Sequence, residues 1–78
     1  MANTKLLKLK IEYSGIKLTV ISYKMGISRT TLWSRLQDKS EFKPEEEYLM
    51  SRILHLNEKD RTDIFGRDPY EGRRSSRR

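Results

Sequence analysis

Residues 18–37 read Leu18-Thr-Val-Ile-Ser-Tyr-Lys-Met-Gly-Ile-Ser-Arg-Thr-Thr-Leu-Trp-Ser-Arg-Leu-Gln37. Gly26 divides the stretch into two parts that read as short helices. Glycine adopts positive φ at no steric cost, so the chain can reverse there within three or four residues. Ile27 follows as an apolar plug, and Ser28 has the side chain of a helix N-cap for Arg29–Gln37. Two helices joined by a tight glycine turn form a helix-turn-helix layout. In that layout Ile27 and Leu32 pack on Ile21 and Met25, and the far face of the second helix stays free.

That free face follows from the helical period of about 100° per residue. With Arg29 as origin, Trp33, Gln37, Thr30 and Ser34 share one arc of about 140°. Thr31, Leu32 and Arg35 lie opposite, and Leu36 flanks. The arc carries a guanidinium fork, two hydroxyls, an indole and an amide. Such groups can bond or pack against base edges in a major groove. It contains no acid, which matters beside phosphate.

Outward from this core, Thr4–Ser14 has a helical stripe of Leu7, Ile11 and Ser14, widened by Leu6 and Leu9. Gly15 ends it. Downstream, Asp38-Lys39-Ser40 closes the recognition stretch. Pro44 fits the first position of a fourth helix, with Glu45, Glu46 and Glu47 suited to its positive end and Leu49, Ile53 and Leu56 as its stripe. Asn57 opens a fifth helix that ends at Ile64-Phe65-Gly66. The expectation is an all-α bundle of about five short helices over residues 1–66. Residues 67–78, rich in Arg and Ser, read as a basic disordered tail.

The chain has 78 residues, enough for one small domain. Mean hydropathy is −0.85. The net charge of +6 is uneven: residues 1–43 carry +6, residues 44–65 carry −3 and residues 66–78 carry +3. An anionic partner is expected, nucleic acid first. There is no cysteine and one histidine, His55, so neither a disulfide nor a metal site is expected. No apolar run approaches a membrane span and no signal segment follows Met1, so the expected setting is the cytoplasm. No nucleophile–base pair or phosphate loop is present. The reading is therefore a non-enzyme without cofactor or small-molecule ligand.

The residues Lys17-Leu18-Thr19, Met25-Gly26-Ile27-Ser28-Arg29-Thr30-Thr31-Leu32 and Lys39-Ser40-Glu41-Phe42 resemble small phage Cro and repressor proteins of the XRE helix-turn-helix family. The resemblance covers roughly residues 5–65. It implies a lambda-repressor-like fold and a transcriptional regulator that binds double-stranded operator DNA, commonly as a dimer. It implies base contacts from Ser28, Arg29, Thr30, Trp33, Ser34 and Gln37, and phosphate contacts from Lys17, Thr19, Lys39 and Ser40. Three positions depart from the family pattern. Ser22 stands where alanine is usual, and its hydroxyl can bond back to the preceding turn. Arg35 stands at a partly buried position and must snorkel or pair with a carboxylate. Trp33 is bulky for a groove.

One recognition helix reads only a few base pairs, so two copies are expected on one face of a duplex. Leu56, Ile64 and Phe65, at the apolar end of the last helix, fit either a self-association surface or closure of the core, with closure the first reading for Leu56 and Ile64. The arginine tail fits either a phosphate tether or an incidental extension. Two other functions fit the composition: RNA binding through the basic first half, and protein interaction through the acidic fourth helix. The first lacks an interleaved aromatic platform. The second would leave only weak, salt-sensitive DNA affinity.

Overall fold

The structure is a computed structural model and describes residues 2–71. It consists of five helices: α1 (Thr4–Ser14), α2 (Leu18–Met25), α3 (Arg29–Leu36), α4 (Pro44–Ile53) and α5 (Glu58–Phe65). Among the described residues there is no strand, so the all-α expectation holds. Their boundaries follow local chemistry. Asn3, Ser28 and Asn57 each accept a backbone N–H from the first turn of the helix that follows. Pro44 occupies the first turn of α4, where its missing N–H costs nothing.

The helices enclose one apolar cluster. Leu7 and Ile11 enter from α1, Ile21 and Met25 from α2, Leu32 and Leu36 from α3, Met50 from α4, and Ile64 and Phe65 from α5. Phe42 and Leu56 complete it from the connecting segments, and the Phe42 and Phe65 rings meet edge to face. α2 packs against α3 and α4, while α1 bridges α3 and α5. The stripe expected on α4 is rotated. Its buried residues are Glu46, Glu47, Met50 and Ser51, whereas Leu49 and Ile53 are only half-buried. The two glutamates turn inward because arginines reach them from neighbouring elements.

Ile64 and Phe65 are 1% and 7% exposed and close the core, one of the two readings of the end of α5. The expected extent of the tail is corrected. Residues 67–71 are not a loose tail. Asp68 and Pro69 are buried, and Asp68 accepts two bonds from the Arg61 guanidinium. The Arg61 guanidinium also donates to Leu56 O at 2.8 Å and lies 3.9 Å from the Tyr70 ring centroid. Arg67 pairs with Glu47 at 2.7 Å, and Tyr70 packs against Tyr48. Charge that reads as solvated in the sequence is neutralised here by geometry, so the segment straps onto α4 and α5. The arginines Arg73, Arg74, Arg77 and Arg78 lie outside the described residues. Among the described residues, no helix is long and apolar enough to cross a membrane.

Candidate nucleic-acid interface

The α2–α3 unit is built around a three-residue turn, Gly26–Ser28. Gly26 has φ +72°, and its N–H donates to carbonyls of the last turn of α2. Ile27 N–H donates to Ser22 O at 3.1 Å, which draws the Ile27 side chain against the core. Ser28 is extended. Its Oγ accepts from Thr31 N–H at 3.0 Å and donates to Thr31 Oγ1 at 2.9 Å. Inside α2, the Ser22 hydroxyl donates to Thr19 O at 3.0 Å, so serine is accommodated at that buried position.

Leu32 and Leu36 fix the inner face of α3. Arg29, Thr30 and Trp33 face outward and are exposed, with Trp33 at 54%. Together with Leu18 at the start of α2 they line one shallow, open depression. Leu18 was not among the expected contact residues. Its spacing with Ile21 and Met25 marks it as core, yet it is only half-buried and floors the depression. Lys17 and Thr19 flank it, both exposed.

The far end of α3 is arranged differently. Ser34 and Gln37 are half-buried. The Ser34 and Ser40 hydroxyls share a hydrogen bond of 2.9 Å, and Arg35 Nη1 donates to Ser40 Oγ at 2.7 Å. Lys39 N–H donates to Ser34 O at 3.0 Å while the Lys39 side chain is exposed. Ser34 and Ser40 therefore hold the loop after α3 together, and the outward chemistry is concentrated on Arg29, Thr30 and Trp33. Ser28 likewise serves its cap, although it remains exposed. Of the ten expected contact residues, Lys17, Thr19, Ser28, Arg29, Thr30, Trp33 and Lys39 are exposed and Ser34, Gln37 and Ser40 are half-buried.

Arg35 is anchored by a two-bond pair with Glu46, at 2.7 Å from Nε and 3.0 Å from Nη2. Lys43 N–H donates to the same carboxylate at 3.0 Å. The Arg35 pKa is raised, chiefly by its bond to Glu46. Burial alone lifts the Glu46 pKa, but the Arg35 bond, the Lys43 amide and the nearby positive charges outweigh it and hold the carboxyl below its ordinary value. At Glu47 burial prevails over the Arg67 pair, and the pKa is raised.

The two neighbours therefore act oppositely with pH. Glu46 adds stability above the unfolded glutamate value of about 4.3 and loses it as pH falls through its lower folded value. Glu47 adds a penalty that grows as pH rises from the unfolded value through its higher folded one. Urea unfolding at about pH 3 and about pH 7 checks this. Relative to wild type, Glu46→Gln is expected to lose ground as pH rises, and Glu47→Gln to gain it. Parallel behaviour of the two variants would contradict the assignment.

No protein-family profile matches the chain, and no curated protein or solved structure matches it. Among the described residues, no group of three or more His, Asp or Glu is placed to hold a metal ion.

Proposed function

We propose that this chain is a sequence-specific, double-stranded DNA-binding regulator that lays α3 in the major groove. The observation carrying this reading is the outward face of α3. It carries Arg29, Thr30 and Trp33 exposed, with no acid on it, on a helix whose other side is locked into the core. A cation fork at the first turn of such a helix suits the acceptor pair of guanine, and the Thr30 hydroxyl suits either donor or acceptor edges. Trp33 can cover a thymine methyl or a sugar. Lys17, Thr19 and Lys39 bracket the helix at its two ends and suit the phosphates on either side.

Regulation would be steric: a chain seated on an operator blocks whatever else must use that stretch of duplex. The phage repressor reading belongs to this proposal and rests on the resemblance of residues 5–65.

The test is in vitro selection from random duplex DNA at about 0.15 M salt with the full chain, a concentration at which non-specific contacts are partly screened. Enrichment of a short motif supports the reading. An inverted repeat would give a two-copy operator and its spacing, and a single half-site a monomeric reader. Tight binding without enrichment would overturn sequence-specific recognition.

A further inference from the structure

The start of α1 lies beside the end of α3. Thr4 Oγ1 donates to Asp38 Oδ2 at 3.0 Å, clipping the first turn of α1 to the residue after Gln37. One open, polar depression is lined jointly by Asn3, Lys5 and Lys8 of the N-terminal segment and by Gln37 and Asp38. Lys5 and Lys8 are both exposed, and among the described residues neither is in an ion pair. Lys10, on the same helix, is used differently and pairs with Asp60 at 3.1 Å. Composition alone gives Lys5, Lys8 and Lys10 the same meaning, namely solvated charge. Their placement separates them.

We infer that Lys5 and Lys8 form a second phosphate-binding site, which continues the DNA surface from the C-terminal end of α3 onto α1. This rests on the reading of α3 as the groove-facing helix. A duplex followed along α3 past Gln37 next meets this depression. Two ammonium groups there reach a backbone that α3 itself does not touch. The depression also holds a negative group, the exposed Asp38 carboxylate, which opposes phosphate. Asp38 sits at φ +62°, a conformation that asparagine also tolerates, and an asparagine oxygen can still accept from Thr4.

The probe is a mixed-sequence duplex of about 24 base pairs, long enough for two turns of helix, titrated with the full chain between about 0.05 and 0.3 M salt. Each neutralised phosphate contributes about 0.9 to the slope of log K against log salt. Lys5→Ala/Lys8→Ala is expected to lower that slope by about 1.8 and to weaken binding about tenfold at 0.15 M salt. Motif preference in the random-duplex selection should be unchanged. Asp38→Asn is expected to tighten binding about twofold. Arg52→Ala/Lys59→Ala removes the same charge from α4 and α5, and its slope should match wild type.

An unchanged slope in Lys5→Ala/Lys8→Ala, with wild type binding normally, overturns this inference and leaves the α3 reading standing. Equal slope losses in the two double variants also overturn it, because the effect would then be net charge. Failure of the wild type to bind any duplex overturns both.

Discussion

Replacing Arg61 by methionine should remove most of the chain's stability and move its urea midpoint to a low concentration. Arg61 is buried, and its guanidinium makes two bonds to Asp68 and one to Leu56 O, with the Tyr70 ring packed on it. The Arg61–Asp68 bond raises the Arg61 pKa, so the cation is firmly held. Removing one partner of a buried pair leaves an uncompensated charge, at a cost of about 3–5 kcal/mol. A core of this size rarely supplies more than about that amount. The Tyr70 N–H, which donates to the Asp68 carboxylate at 3.0 Å, cannot replace a guanidinium.

The pair as a whole is worth far less than its rupture. Arg61→Met/Asp68→Leu, which removes both charges, should recover most of the loss, because replacing both partners by apolar groups is often near neutral. Urea midpoints for wild type, the two single variants and the double variant close the cycle. A loss below about 1 kcal/mol in Arg61→Met would mean that the pair does not hold residues 67–71 to the body.

The second large effect is on binding. Arg29→Ala removes the only cation fork on the outer face of α3. A bidentate arginine–guanine contact carries about 1–3 kcal/mol of base discrimination, so the selected motif should lose preference at one position and bind about 5- to 150-fold more weakly. Lys39→Ala should weaken all duplexes about equally and lower the salt slope by about 0.9. Both side chains are exposed, so the melting transitions should be close to that of wild type. Equal losses on every sequence from both variants would contradict the assignment of Arg29 to bases.

Most of the helical framework was readable from local signals. Ser28, Asn57 and Pro44 announce helix starts, and Gly15, Gly26 and Gly66 announce ends, because each satisfies or relaxes a backbone constraint within a few residues. Leu7, Ile11, Ile21, Met25 and Leu32 were readable as core from their spacing.

The buried charges were not. Glu46, Glu47, Arg61 and Asp68 look like surface residues, since a lone charged side chain is rarely buried and only its partner makes burial tolerable. Those partners lie on other elements or beyond a turn. Ile64 and Phe65 leave two readings open for the related reason: without the strap formed by residues 67–70, the end of α5 looks uncovered. The lone aromatic Tyr70 in an otherwise polar segment was the available hint. On the interface, helical geometry placed Arg29, Thr30 and Trp33 outward. It could not foresee that Ser34 would spend its hydroxyl on Ser40, because that contact depends on the path of the loop after α3.

The Arg35–Glu46 clamp also bears on how a partner would be met. α3 is only eight residues long, too short to persist as a helix by itself. Its orientation is set by Leu32 and Leu36 from within and by Glu46 of α4 at its trailing end. The disorder of those side chains is therefore lost when the chain folds, before any duplex arrives. On the proposed DNA-binding reading, docking of α3 would then be close to a rigid-body event, governed by orientation and charge steering rather than by slow ordering of the helix.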